Sequence, residues 1–88
     1  MPKNVAFHQT KVDVTTVAST LLPLNSNRTY LLIQNLGVGT IFLNFSGTAV
    51  DGEGIYLASL EAYEHYIVPT DAISVIGDGS ATVIVVEA

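Results

Sequence analysis

The sequence predicts an all-β domain, either a small antiparallel β-sandwich or a jelly-roll-like barrel of about seven short strands. Short runs of alternating apolar residues recur along the chain, and segments rich in Gly, Pro, Asn, Asp and Ser separate them. No window has a convincing helical period, and the chain contains no cysteine. Because 88 residues enclose one modest core, we expect a single domain.

Residues 1–27 differ in composition from the rest of the chain. Val12, Val14 and Thr16 alternate with polar residues, which predicts a half-buried strand over residues 11–18. Pro23 and the polar run after it then predict a break. Two interpretations follow. We expect residues 1–27 to be an arm that attaches to a partner while residues 28–88 form the body. The alternative is that the segment contributes an ordinary first strand.

The run from Arg28 to Asn35 predicts a central strand, since Leu31 and Ile33 lie on one face and Tyr30 and Leu32 on the other. A short loop with two glycines leads into a strand over residues 41–45, and we expect these two strands to form a hairpin. The segment 46–54 holds three glycines and is expected to be an exposed loop.

Four more strand-like runs follow at residues 55–57, 63–68, 73–76 and 81–87, with turn-forming residues between them. The best helical alternative is Leu57 to Tyr66, which contains good helix formers. Its apolar residues do not form a stripe at i, i+3 and i+4, so we favour strands there.

The charge pattern points to association. Lys3, Lys11 and Arg28 share the first 28 residues with Asp13, whereas the last 60 residues hold seven carboxylates and no base. Such a chain neutralises few phosphates, so we expect no nucleic-acid partner. No apolar stretch is long enough to span a bilayer, and the start of the chain lacks the apolar region of a cleaved leader. The sparse charge indicates that much of the surface is buried against other copies or a larger assembly.

Candidate catalytic groups do not form a recognised site. His8 and His65 lie far apart in sequence, and His65 would join Glu61 and Glu64 only on a helix. The glycine-rich carboxylate segments, Asp51 to Glu53 and Asp78, offer too few oxygens for calcium. The serines lack the context of an activated nucleophile. We therefore expect no enzymatic activity, no cofactor and no metal.

Residues 28–87 resemble small β-structured accessory proteins of tailed phages. The resemblance rests on Arg28 to Asn35, the glycine loop, Ile41 to Gly47, Gly54 to Leu57, Glu64 to Tyr66 and the Val-rich last strand. The chain departs from the pattern at Ala58-Ser59-Leu60, where a Pro-Gly type turn is expected. The resemblance implies a capsid decoration protein or a head-fibre component that stabilises the shell at the capsid surface, after assembly in the host cytoplasm.

The expected partners are other copies of the chain and the major capsid protein or another virion protein. We expect a trimer, with a twofold dimer as the alternative. The candidate interface residues are Lys3, Phe7, Lys11, Arg28 and Tyr30. The alternative function is a carbohydrate-binding or adhesin module whose ligand platform is Tyr56, Tyr63 and Tyr66.

Overall fold

A computed structural model describes residues 6–88 and confirms the all-β prediction. Its eight strands are β1 (His8–Val14), β2 (Ser19–Leu22), β3 (Leu31–Asn35), β4 (Ile41–Asn44), β5 (Ile55–Leu57), β6 (Ala62–Glu64), β7 (Ile73–Gly77) and β8 (Ala81–Glu87). Residues 6–88 contain no helix, and therefore none that is long and apolar enough to cross a membrane.

The strands form two four-stranded antiparallel sheets that pack face to face. Sheet 1 has the order β1-β8-β3-β6, and sheet 2 has the order β2-β7-β4-β5. The pairing is nested, because β1 pairs with β8, β2 with β7, β3 with β6 and β4 with β5. This is the strand order of a double-sheet jelly roll. Hydrogen bonding between described strands stays within each sheet, so the barrel alternative is wrong and the sandwich is confirmed.

Period-two alternation places one face of β3, β7 and β8 in the core. In β3, β7 and β8 up to Val85, each odd-numbered residue is buried and each even-numbered residue is at least partly exposed. The buried side chains between the sheets are mostly Leu, Ile and Val: Val14, Leu21, Leu22, Leu31, Ile33, Ile41, Leu43, Leu57, Ile73, Val75, Ala81, Val83 and Val85. The alternation therefore turns the other apolar side chains of these strands outward.

The expected hairpin between β3 and β4 is wrong, because these strands lie in different sheets. Asn35, which is 0% exposed, supplies the physical reason. Its Nδ2 donates hydrogen bonds to the carbonyl oxygens of Gly39 at 2.8 Å and Leu57 at 3.0 Å. Its Oδ1 accepts one from the amide of Gly37 at 2.9 Å. These bonds hold the glycine loop as a crossing from sheet 1 to sheet 2.

The strand predicted over residues 11–18 is observed as β1 (His8–Val14), and a second strand that was not predicted, β2 (Ser19–Leu22), follows it in the other sheet. β1 pairs with β8 along its whole length, and β2 pairs with β7 with an irregular register between Thr20 and Leu22. Within the described residues, Val14, Leu21 and Leu22 of this segment belong to the core, which is compatible with the first-strand alternative. Attachment to a partner by residues 1–27 stays a prediction.

The segment from Leu57 to Tyr66 contains a turn between β5 and β6, so the helical alternative is wrong. The amide of Glu61 donates to the carbonyl of Ala58 at 3.0 Å, which closes a four-residue turn. Leu60, the third residue of this turn, has a φ of 68°. Type II turns place glycine at this position because it needs a positive φ. The turn therefore has the backbone of the expected Pro-Gly type turn without those residues.

Candidate functional site

The outer face of sheet 1 carries an apolar stripe across its middle strands. The alternation in β3 and β8 turns Leu32, Ile84 and Val86 outward, and Phe7 and Tyr30 extend the surface at one end. We call Phe7, Tyr30, Leu32, Ile84 and Val86 the outer stripe of sheet 1. An antiparallel sheet with one solvated face ordinarily turns polar side chains outward. The outer stripe departs from that rule and is a candidate contact surface.

Charged side chains border this stripe on the two edge strands. Lys11 lies on β1 opposite Ile84, and Glu64 lies on β6 opposite Leu32. Asp13 follows Lys11 on the same face of β1, opposite Thr82. The middle strands β8 and β3 carry no charged residue on this face. The surface thus has an apolar centre and a charged rim, as protein interfaces do.

Two candidate interface residues, Phe7 and Tyr30, contact each other at the end of the stripe. Their ring centroids are 5.4 Å apart, with an edge-to-face arrangement at 88°. Phe7 keeps 60% of its surface exposed. Each ring therefore restricts the movement of the other, and both remain accessible to a partner.

Tyr30 also donates a hydrogen bond from its hydroxyl to Oε2 of Glu64. This hydrogen bond, followed by partial burial and the negative charge of Glu64, raises the pKa of Tyr30 above its ordinary value of 10.0. The bond links β3 to β6 across the face and orients the Glu64 carboxylate beside the stripe. A carboxylate accepts on both oxygens, so Oε1 of Glu64 can accept from another donor.

The outer face of sheet 2 carries a second group of apolar side chains. Of the site residues predicted from the sequence, Tyr56 alone belongs to this group. Phe42 of β4 lies directly opposite Ile76 of β7 and Tyr56 of β5. The rings of Phe42 and Tyr56 are 6.4 Å apart. We call Phe42, Tyr56 and Ile76 the outer row of sheet 2. Its strand neighbours on the same face are the neutral polar residues Asn44 and Ser74.

Arg28 does not belong to an exposed interface, because it is only 4% exposed. Its Nε donates to Oε2 of Glu87 at 2.8 Å, and its terminal nitrogens donate to the carbonyl oxygens of Pro23 at 2.8 Å and Pro69 at 2.7 Å. A longer bond of 3.3 Å reaches the carbonyl of Asp71. Arg28 thus pairs with a carboxylate inside the chain and joins two loop segments to the end of β8.

The three tyrosines of the alternative ligand platform do not share one surface. Tyr56 lies on the outer face of sheet 2, whereas Tyr63 points inward from β6 and packs against Phe45 at a centroid distance of 5.1 Å. Tyr66 is 87% exposed and stacks on His65 at 4.5 Å and 25°. Tyr63 also stacks on His65, at 6.5 Å and 26°, so the structure brings Tyr63 and Tyr66 together on either side of His65 and leaves Tyr56 apart.

The remaining candidate residues lie on edges or loops. Lys11 is an exposed residue of edge strand β1, and Lys3 falls outside the described residues. Asp78 accepts a hydrogen bond from the amide of Thr40 at 3.0 Å. This bond connects the loop between β7 and β8 to the loop between β3 and β4. Asp51 and Glu53 lie exposed in the loop between β4 and β5. Across residues 6–88, His, Asp and Glu do not form a group of three able to hold a metal ion.

Two surface cavities lie away from the aromatic residues. One has a volume of about 360 Å³ and is lined by hydroxyl groups of Thr20, Ser46, Thr48 and Ser74 beside Asp71. The other, of about 380 Å³, lies between the end of β1 and the start of β8. Neither is lined by a tyrosine, so neither combines the hydroxyl groups with an aromatic platform of the kind expected for a sugar ligand.

Comparison with known proteins gives no relative: no family model matches the chain, and no curated protein sequence matches it. The surfaces described above are therefore interpreted from their own chemistry.

Sequence reasoning missed most of the outer-face residues. All of these residues belong to predicted strands, but they were not predicted to form a contact surface: Leu32, Ile84, Val86, Phe42 and Ile76. The signal was present, because strands that read as apolar on both faces must expose one face when the domain has only two layers.

Proposed function

We propose that this protein is a non-enzymatic structural component of a virion, which binds copies of itself and a larger shell through the outer faces of its sheets. The observation that carries the proposal is the outer stripe of sheet 1, an apolar surface across β8 and β3 where an antiparallel sheet normally carries polar side chains. Sparse charge over the whole chain agrees with it, since desolvating charged side chains opposes association.

The virion context rests on the resemblance of residues 28–87 to accessory proteins of tailed phages. The jelly-roll strand order is compatible with it, because jelly rolls occur in viral capsid proteins. The same order occurs in lectins and cupins, so the fold adds support without deciding the function. The role proposed is that of a capsid decoration protein or head-fibre component at the capsid surface, assembled in the host cytoplasm.

The outer row of sheet 2 is the surface proposed to contact the shell. Phe42, Tyr56 and Ile76 form one group across three strands, and the flanking strand residues are neutral. Interface centres are enriched in aromatic residues and depleted of Lys, Glu and Asp. Contacts of this kind, repeated in many copies on the major capsid protein, would bridge neighbouring subunits and stabilise the shell.

Particle composition tests this proposal. Particles purified by density gradient from cells that express the gene in its native context are analysed by quantitative mass spectrometry. We expect the chain to sediment with the particles in a fixed ratio to the major capsid protein. Particles that lack the chain would contradict the proposal.

A matched pair of tyrosine substitutions tests the surface. Tyr56→Ser removes an aromatic ring from the outer row, and Tyr66→Ser removes one from an exposed loop. We expect Tyr56→Ser to lower the amount bound to particles by about tenfold or more, as loss of a central interface tyrosine does, and Tyr66→Ser to leave it unchanged. Equal effects would exclude the outer row. Glycan-array binding that Tyr66→Ser abolishes would favour the carbohydrate-binding alternative instead.

A further inference from the structure

We propose that the outer stripe of sheet 1 binds the same stripe of a second copy, as a face-to-face pair about a twofold axis that runs along the strands. This inference rests on the proposed function and names one of its partners. Three features indicate that a second copy binds the stripe. They are the arrangement of charge around it, the area of the face and the direction in which the two apolar surfaces point.

The register fixes where the charges lie. One row across sheet 1 reads Gln9, Val86, Leu32, Glu64, and the next row on the same face reads Lys11, Ile84, Gln34, Ala62. Lys11 is therefore on the β1 edge and Glu64 on the β6 edge, one row apart. Rows of one face are about 6.6 Å apart, because same-face residues are two positions apart along a strand.

A twofold axis along the strands exchanges the two edges. It puts β1 of one copy over β6 of the other and β8 over β3. Val86 then packs on Leu32 of the second copy, and Lys11 comes within one row of the second copy's Glu64. The contact forms twice. A twofold axis across the strands would instead put β1 over β1 and bring the two Lys11 side chains together, so the charges favour the first arrangement.

Glu64 is already positioned for this contact. The Tyr30 hydroxyl holds its Oε2, which fixes the carboxylate beside the stripe and leaves Oε1 to accept from the Lys11 ammonium of the second copy. Holding one partner in place reduces the side-chain entropy lost on association. Asp13, the other charge on this face, lies opposite Thr82, beyond the end of the stripe.

The area of the face predicts a weak pair. β1 and β8 have seven residues each, β3 has five and β6 has three. At about 3.3 Å per residue and about 4.8 Å between strands, they give a footprint of roughly 350 Å² per copy. Twice that area lies below the roughly 1,000 Å² of a stable interface and is typical of a weak, transient contact. We therefore expect dissociation constants in the micromolar range, which become effective when copies are concentrated on a shell.

The twofold pair replaces the expected trimer as the proposal. A closed trimer needs two different surfaces inclined to one another, whereas the apolar surfaces of sheets 1 and 2 face opposite ways. Joining the outer face of sheet 1 to that of sheet 2 would stack copies into an open filament. A stripe that pairs with itself closes after two copies.

Sedimentation velocity on the full chain, from about 1 to 500 µM, measures the association. We expect a monomer–dimer equilibrium, and Lys11→Glu and Glu64→Lys should each weaken it about tenfold by turning two attractive pairs into repulsive ones. The double variant Lys11→Glu/Glu64→Lys restores opposite charges across the twofold axis and should recover most of the affinity. Glu53→Lys, which makes the same change of charge in an exposed loop, is the matched control and should leave dimerisation unchanged.

Several results would overturn the pairing: a monomer throughout the concentration range, a trimer, or single variants that behave like Glu53→Lys. A monomeric chain whose binding to particles is abolished by Leu32→Glu would assign the stripe to a different protein. A chain that sediments with particles but does not dimerise would refute the pairing alone. A chain that dimerises as expected but is absent from particles would refute the proposed function alone.

Discussion

Arg28 and Asn35 fix parts of the chain that apolar packing does not define. Arg28 binds Glu87 and carbonyl groups from two loops, and Asn35 holds the crossing between the sheets. Within residues 6–88, every buried side-chain nitrogen and oxygen has a hydrogen-bond partner. Most of the partners of Arg28 and Asn35 are main-chain groups in loops, which periodicity in the sequence does not indicate.

Replacing Arg28 tests its structural role. Arg28→Lys keeps the charge but cannot reach Glu87 and both proline carbonyls at once, since an ammonium lacks the planar fork of a guanidinium. We expect a loss of about 3 kcal/mol in the free energy of unfolding, measured by urea denaturation at low protein concentration. The control Lys11→Arg, at an exposed base, should change it by less than about 0.5 kcal/mol. A loss below 1 kcal/mol would contradict the assigned role.

The titration of Tyr30 tests its bond to Glu64. Since the folded pKa is raised above the ordinary value of 10.0, the stabilising contribution is complete below pH 10.0 and is lost as pH rises through the folded pKa. Glu64→Gln weakens the hydrogen bond that is the main cause of the raised pKa and removes the negative charge that adds to it, so the Tyr30 titration should move down toward 10.0. NMR of ring-labelled tyrosine measures it, with Tyr30→Phe identifying the signal. A titration unaffected by Glu64→Gln would exclude the bond.

At the scale of elements, the strands could be predicted but not all of their partners. β3, β4, β5, β7 and β8 were expected at nearly their observed bounds, because each shows apolar alternation between turn-forming residues. β2 was missed because its irregular register buries Leu21 and Leu22 in succession, which hides the alternation. The hairpin prediction was wrong because the glycine loop crosses from one sheet to the other. Asn35 fixes this crossing in part through its bond to Leu57, 22 residues away, which a local pattern does not encode.

The turn at Leu60 offers a direct gain in stability. Leu60 is 67% exposed and has a φ of 68°, a conformation that costs about 1 kcal/mol for a residue with a Cβ. Leu60→Gly should therefore raise the free energy of unfolding by up to about 1 kcal/mol. Leu60→Ala removes the same exposed side chain but keeps the Cβ, so it is the control and should bring no such gain. Equal effects would mean that the backbone conformation is not the cause.

On the scale of the whole molecule, the sheet edges are protected against pairing with the strands of another chain, whereas the outer faces are open to contact. β5 and β6 have three residues each, β2 is irregular, and the long edge strand β1 carries Lys11 and Asp13. Short, irregular or charged edges discourage edge-to-edge pairing. We therefore expect any association to use the outer faces. The sequence showed that charge is sparse in the chain, but it did not show which residues lie on those faces.

Truncation separates the two interpretations of the first segment. Deleting residues 2–20 removes β1 and half of β2, which uncovers the edges of β8 and β7. We expect a product that does not fold, with loss of the β-sheet signal in circular dichroism and of the cooperative thermal transition. The control, deletion of residues 2–5, leaves every described strand intact and should fold. A folded product from the longer deletion would favour a detachable arm.

The nested pairing also determines the order in which the strands can pair as the chain is synthesised. β4 and β5 are made close together, but β1 must wait for β8, since His8 pairs with Glu87. Until β8 has left the ribosome, β1 lacks the one strand with which it pairs in sheet 1. The domain therefore completes only once β8 has been made, and slow closure of such distant pairs leaves the unfinished sheets exposed to aggregation.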